Sequence, residues 1–352
     1  MTSDPLSRFL TQRAAQMERR QRLRPMSVPE ISALAIQVYQ TLGGKILRLT
    51  AVPTLFCLAA FAFVGKVVLP MLGETSNPSS TSVQIGEAMF GIGLAILVGV
   101  PLFLLGVSYI TGAVTSLVAD YMTGQVPTAE NARAEALRIF PKLFILKLRE
   151  VLVGASALLV SLGFLMLSAL LDSSSPDGWG AGGVAALGMI GIFAGFVVLA
   201  AVHASHALAP CVLQIEGLSP REAAKRSRAL VKASKVRFQA GFDAGGTSAL
   251  TNTYALIFVV WLVLAAGVGS FIGVLEAADL LRFLSGPTWF QGLLLAALQL
   301  LPWYLLLWVT VPIWSTTAAI VYFERRVRLE GYDIEALAKD VWQKDRQARF
   351  QL

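Results

Sequence analysis

Residues 183–202 have the sequence GVAALGMIGIFAGFVVLAAV, a stretch without a charged side chain. A helix of this length rises about 30 Å, which is the thickness of the hydrocarbon core of a bilayer. Among the 352 residues of the chain 55% are hydrophobic and only 14% are charged, and the mean hydropathy is +0.66. Soluble domains carry about 25% charged residues. The composition therefore predicts a polytopic membrane protein and excludes an ordinary soluble domain.

Apolar stretches of this kind recur, and each one predicts a transmembrane helix. We place six spans, at Thr50–Leu72, Ile85–Tyr121, Leu143–Leu171, Gly183–Ile215, Thr251–Leu275 and Thr288–Phe323. The second, fourth and sixth are longer than the roughly 20 residues that a crossing needs. Prolines in these three predict kinks, at Pro101, Pro210, Pro302 and Pro312. Glycine pairs four residues apart, Gly191 with Gly195 and Gly269 with Gly273, predict helix contacts.

The basic residues are distributed unevenly between the two sides of this arrangement. The chain has a net charge of +7, and of its 29 Lys and Arg residues all except Lys66 and Arg282 lie on the side of the two termini. Short loops rich in Lys and Arg stay in the cytoplasm. We therefore expect a multi-pass protein of the bacterial inner membrane with both termini cytoplasmic. No cleaved signal peptide is expected, because the first span follows a long basic segment.

Each pair of spans follows a helix-start motif on the cytoplasmic side. Ser27 to Glu30 and Ser219 to Glu222 match the capping box, in which the Ser hydroxyl and the Glu carboxylate each accept an amide proton, and Thr128 is a simpler cap. An amphipathic helix is predicted after each cap, and we expect these interfacial helices to lie in the headgroup plane or against the bundle. The apolar face of the first consists of Ile31, Leu34, Ala35, Val38 and Leu42. The chain is thus predicted to hold a basic arm at 1–26, a membrane domain at 27–330 made of pseudo-repeats at 27–121, 128–216 and 219–323, and a cytoplasmic tail at 331–352. Gly331 is expected to end the last long helix, with a second helix beginning near Asp333.

Residues with metal-binding chemistry are sparse. His203, His206 and Cys211 in the fourth span are weak metal candidates, because a His/His/Cys zinc site is conceivable at this spacing. The alternative is that the two imidazoles form hydrogen bonds between helices. Cys57 and Cys211 are expected to be buried as small apolar residues. No Walker A, HExxH or nucleophile-elbow motif occurs in the sequence, so we predict neither a catalytic site nor a cofactor.

Charged residues supply two further candidates. Lys66 and Glu87 lie in the outer parts of adjacent spans and predict an intramembrane pair. A basic row predicts contact with lipid headgroups, and its members are Arg221, Lys225, Arg226, Arg228, Lys232 and Lys235. The alternative for this row is a set of solvated charges, as in any cytoplasmic loop of such a protein.

Two segments carry a resemblance to a known family. They are IEGLSPREA at 215–223, continuing into KRSRALVK at 225–232, and YFERRVRLEGYD at 322–333. They resemble the membrane domain of some bacterial glycerophosphoryl diester phosphodiesterases and of related six-span inner-membrane proteins. In that family the diesterase activity belongs to a separate metal-dependent barrel domain, which this sequence lacks. The sequence departs from the pattern at Phe323, where a second Tyr is more usual, and in its long basic arm. The resemblance implies a membrane module without an active site.

These observations favour a non-enzymatic module, a scaffold or accessory subunit whose basic cytoplasmic layer contacts anionic lipid or a partner. The partner would be another membrane protein or a larger assembly. Nucleic acid is not an expected partner, because the charge follows membrane topology. The alternative is a transporter or lipid-handling protein with a cavity between repeats.

The topology is testable with single cysteines. A cysteine introduced within 73–84 should react with an impermeant thiol reagent in intact cells, whereas one within 217–240 should react only after the membrane is opened. The reverse labelling pattern would contradict the predicted orientation.

Overall fold

The computed structural model describes residues 23–74, 91, 93–172, 179–232, 246–277 and 289–332, apart from some side chains within the helices. The regular structure of these residues is entirely helical, which confirms the all-α prediction. The helices are α1 (Val28–Glu74), α2 (Val100–Thr123), α3 (Ala129–Asp172), α4 (Trp179–His206), α5 (Ala209–Ile215), α6 (Pro220–Lys232), α7 (Gly246–Ala277) and α8 (Trp289–Glu330). A π-helical turn, Ala95–Gly99, precedes α2.

Four segments of the described residues are long and apolar enough to cross a membrane. They are Val28–Val64, Leu97–Thr123, Ala186–Ile215 and Gln299–Glu330. These segments overlap the first, second, fourth and sixth predicted spans. The third and fifth predicted spans lie in α3 and α7, whose side chains are described only in part, and a shorter apolar stretch, Phe258–Phe271, falls within the fifth. The count of six spans and the three pseudo-repeats stay predictions.

Two of the three predicted interfacial helices are not separate helices. In α1, which is 47 residues long, the first amphipathic segment continues into the first span, and the 44 residues of α3 join the second segment to the third span in the same way. Such helices are roughly 65–70 Å long, about twice the hydrocarbon thickness. Gly43 and Gly44 do not interrupt α1, because a helical glycine costs only about 1 kcal/mol. Only α6 forms a helix of its own.

The chain divides into two compact units, residues 1–141 with 248–352, and residues 142–247. In the first unit α1, α2 and α8 pack against one another. The apolar face predicted for the start of α1 is buried at Ile31, Ala35, Val38 and Leu42 and continues at Ile46. This face therefore packs on other helices and does not lie flat in the headgroup layer.

Aromatic side chains of α8 and α1 bind across the same helix pair. The Trp308 indole donates a hydrogen bond to the Leu47 carbonyl at 2.8 Å, and the Tyr304 hydroxyl donates to the Ala51 carbonyl at 3.0 Å. In the other direction, the Tyr39 hydroxyl of α1 donates to the Val309 carbonyl at 3.0 Å. Each of these rings therefore joins α1 to α8 through a hydrogen bond from its polar atom to a backbone carbonyl, in addition to its apolar contacts.

Prolines act differently at their separate positions. Pro101 lies next to the π-helical turn, and Pro210 follows the interruption between α4 and α5. A proline has no N–H for the carbonyl four residues earlier and its ring collides with that carbonyl, so the helix departs from α geometry there. Pro302 and Pro312 instead lie within the continuous helix α8. Regular α-helix is thus interrupted beside the first two of the four predicted kink sites.

The end of α8 is held by charged residues. Gly331 adopts a left-handed conformation with φ of 65°, and the helix ends at Glu330, as predicted. Buried Glu324 accepts a hydrogen bond from Arg328 at 2.5 Å, and Arg328 also donates to the Met26 carbonyl at 3.0 Å. The segment before α1 is thereby attached to the end of α8. The helix predicted from Asp333 onward lies outside the described residues.

Gly106 marks a close crossing of α1 and α2, and its substitution should destabilise the first unit. A Cβ atom there would lie 2.6 Å from the Pro53 carbonyl oxygen and 2.5 Å from the Cys57 sulfur. Gly106→Ala should therefore lower the stability by about 1–3 kcal/mol, the usual cost of overpacking, seen as a lower thermal unfolding midpoint in detergent. Gly44→Ala is the matched control, because nothing lies within 4 Å of its Cβ position. Equal midpoints for the two variants would contradict a tight crossing.

Candidate functional site

Helix α6 begins at a complete capping box in the second unit. The Ser219 hydroxyl accepts the Glu222 amide proton at 3.4 Å, and the Ser219 amide donates to the Glu222 carboxylate at 3.0 Å. Hydrogen bonds to the Glu222 carboxylate from the Ser219 side chain and from the Ser219 backbone amide lower the pKa of Glu222. The box at Ser27 differs from the prediction, because the Ser27 hydroxyl donates to the Glu30 carboxylate instead of accepting an amide proton. Thr128 caps α3 as predicted, accepting the amide proton of Asn131.

Helix α6 has one apolar and one basic face. The buried face packs on α4 and α5, and its residues are Ala223, Ala224, Ser227, Leu230 and Val231. On the other side Arg221, Lys225, Arg228 and Lys232 are exposed, while Arg226 is half-buried. Because the apolar face is covered by helices of the same unit, the basic row faces outward. The last residue of the predicted row, Lys235, lies outside the described residues.

Three polar contacts attach α6 to its neighbours. The Ser227 hydroxyl donates to the Ser205 carbonyl at 2.9 Å, in the last turn of α4. A carbonyl in that turn lacks its usual partner within the helix, so this bond satisfies it. Arg228 donates to the His206 ring through Nε at 3.1 Å and through Nη2 at 2.9 Å. The third contact joins the Arg226 guanidinium to the Glu216 carboxylate at 3.3 Å.

A buried carboxylate connects α3 to α4. One oxygen of Glu150 accepts a hydrogen bond from Lys147 at 2.9 Å, and its other oxygen lies 2.5 Å from Nδ1 of His203. Both Glu150 and Lys147 are more than nine-tenths buried. A charge taken out of water is tolerated only when it is paired and hydrogen-bonded. Glu150 is therefore held between a cation on its own helix and an imidazole on the next.

Glycine allows α3 and α4 to approach closely enough for this contact. A Cβ atom built on Gly154 would lie 2.3 Å from Cδ1 and 3.3 Å from Cα of Leu199. One built on Gly191 would lie 2.5 Å from the Ser161 hydroxyl, which confirms a helix contact at this predicted glycine. In contrast, Cβ atoms on Gly269 and Gly273 would meet no described atom within 4 Å.

The structure separates the three metal candidates into different roles. His203 bonds to Glu150, and His206 accepts hydrogen bonds from Arg228. These are the interhelical hydrogen bonds expected as the alternative to metal binding. Cys211 is buried in α5, beyond the interruption, and Cys57 is buried in the first unit. Within the described ranges, no group of three or more His, Cys, Asp or Glu side chains is arranged to hold a metal ion.

The intramembrane pair predicted for Lys66 and Glu87 lies outside the described residues, since the structure describes no side chain at Lys66 and nothing at Glu87. Sequence reasoning missed the pair of Lys147 and Glu150. The available signal was their spacing, since residues three apart share a helix face and both lie inside the predicted third span. Two opposite charges within an apolar span indicate mutual pairing.

No family model, curated protein or solved structure matches the chain. The resemblance to the membrane domain of the diester phosphodiesterases stays a prediction. The two segments that carry it do have structural roles here. Residues 215–232 include the start and the docked face of α6, and residues 322–333 include the buried Glu324 and the helix end at Gly331.

The negative charge of Glu150 should stabilise the second unit by neutralising the buried cation of Lys147. Glu150→Leu leaves Lys147 as an uncompensated buried cation, so we expect a loss of about 3–5 kcal/mol and a lower thermal unfolding midpoint in mild detergent. In the double variant Glu150→Leu with Lys147→Met neither charge is present, and most of the loss should be recovered. If the single and double variants unfold at the same temperature, the pairing of these charges does not stabilise the second unit.

Proposed function

We propose that this protein is a non-enzymatic integral membrane module whose basic helix α6 binds anionic lipid headgroups, and that it serves as a scaffold or accessory subunit. We place the protein in a bacterial inner membrane, with α6 and both termini on the cytoplasmic side. The distribution of Lys and Arg along the sequence supports this orientation.

One observation carries the proposal: α6 is docked through its apolar face and exposes its basic row. A free amphipathic helix could bury its apolar face in the bilayer. In α6 that face is covered by α4 and α5. The side chains that α6 can present to a membrane surface are therefore those of its exposed basic row. Each cation near an anionic leaflet contributes about 1 kcal/mol. Arg221, Lys225 and Lys232 together would then raise the affinity by roughly 100-fold.

The bonding of the buried carboxylates supports a structural rather than a chemical role. Glu150 is bonded to Lys147 and His203, and Glu324 is paired with Arg325 and Arg328. These carboxylates are engaged in joining helices or helix turns.

The lipid contact can be tested by removing the exposed charges. The variant Arg221→Gln, Lys225→Gln and Lys232→Gln should retain less phosphatidylglycerol during purification in mild detergent than the parent, because the attraction to anionic headgroups falls with each charge. Rising salt should reduce retention in the parent and have less effect on the variant. Lipid is measured by mass spectrometry of the purified protein.

A charge-preserving variant is the matched control. Arg221→Lys, Lys225→Arg and Lys232→Arg change the same three positions without changing the net charge, so retention should equal that of the parent. If the Gln variant retains as much phosphatidylglycerol as the parent at every salt concentration, the basic row serves only the topology of the chain.

A further inference from the structure

The surface of α4 changes from apolar to polar in the last turns of the helix. All residues of α4 from Leu187 to Val198 are apolar, and most of those described are exposed. The first polar residues after them are His203, Ser205 and His206. In a membrane such a change marks the boundary between the hydrocarbon and the headgroup layer, where the lipid phosphates lie.

At this boundary the guanidinium of Arg228 is held in one orientation by His206. Arginine has donors only, so Nε2 of His206 must accept both hydrogen bonds, which makes the ring neutral with its proton on Nδ1. Nε and Nη2 form one edge of the planar guanidinium. The opposite fork, between Nη1 and Nη2, is left for another ligand. Arg228 is exposed and has no other hydrogen-bond partner among the residues described.

Further positive charge lies around the same ring. Lys147 of α3 bonds to Glu150, the carboxylate that also contacts His203 one helical turn before His206, and Arg149 precedes Glu150 in the chain. The carboxylate that acts on this ring is Glu150, and both of its oxygens are already bonded, to Lys147 and to His203. Arg149 is exposed. The cluster therefore keeps an excess of positive charge at its surface.

We infer that Arg228, positioned by His206, forms a binding site for a phosphate group. The inference deepens the proposed function and rests on it, because headgroup phosphates are the anions that this surface would meet. The planar fork of an arginine binds two phosphate oxygens at once, whereas lysine offers a point charge. The site thus recognises the phosphate itself, which a lipid phosphodiester and free inorganic phosphate have in common. His206 is a positioning residue, since it acts through Arg228.

The test uses variants of the full chain that leave the net charge unchanged. Arg228→Lys removes the fork, and His206→Phe removes the acceptor that orients it. His206→Gln keeps an acceptor oxygen and should rescue binding. Arg133→Lys is the matched control, an identical exchange at an exposed arginine of α3 that belongs neither to the basic row of α6 nor to the cluster around His206. Each protein is placed in phosphatidylcholine nanodiscs, and the affinity for added phosphatidylglycerol and, separately, for inorganic phosphate is measured, with circular dichroism as the check of folding.

We expect Arg228→Lys and His206→Phe each to weaken phosphatidylglycerol binding roughly tenfold, while Arg133→Lys and His206→Gln bind as the parent does. If inorganic phosphate binds the parent in the absence of phosphatidylglycerol and loses affinity in the same two variants, the site takes free phosphate as well. Parent-like binding of both ligands by Arg228→Lys would overturn the inference, and this variant decides alone if His206→Phe does not fold.

The two proposals fail in different ways. A loss of lipid in the triple Gln variant together with no effect of Arg228→Lys would leave the general attraction of α6 for lipid and remove the specific site. A loss in Arg228→Lys with no effect of the triple variant would remove the general attraction and leave the site.

Discussion

Inside a bilayer a polar group finds no water, so each one has to find its partner on the protein. This constraint accounts for many of the contacts that join the helices. In the first unit the indole of Trp308 and the hydroxyl of Tyr304 bond to carbonyls of α1. In the second unit Glu150, at the polar end of α4, is buried from water by the protein itself and is shared between α3 and α4 through Lys147 and His203. Such bonds help to specify which of the described helices pair.

Close approach of helix backbones is the second requirement. Without a hydrophobic force between helices in lipid, association depends on van der Waals packing and on small residues at the contact. Gly106 in the first unit and Gly154 and Gly191 in the second lie where a Cβ atom would collide with the neighbouring helix. Gly154, where α3 approaches α4 closely, is one helical turn from Glu150 of the buried ion pair. Packing and polar pairing support each other there.

The orientation of α6, and with it that of its exposed charges, depends on hydrogen bonds to the last turn of α4. Ser227 satisfies a carbonyl at the end of α4, and Arg228 bonds to His206 in the same turn. That end exists because Pro210 cannot supply the N–H that would continue α4. The interruption thus creates both the acceptor for Ser227 and the position at which the basic helix docks. A single proline is linked in this way to the surface that we propose for lipid headgroups.

The amino-acid sequence by itself determined the all-helical class, the apolar segments, the caps at Ser219 and Thr128 and the helix end at Gly331. Each of these follows from local chemistry: hydropathy over one crossing, a side chain that bonds a nearby amide, or the left-handed preference of glycine. The apolar face from Ile31 to Leu42 was also predictable, because residues of one helical face share a period.

Only the tertiary structure decided that this face packs within a continuous α1 and that Glu150 meets His203. Such partners lie far apart in the chain, and the energy of a buried charge depends on what surrounds it in space. Periodicity shows which residues share a face, but not what that face touches.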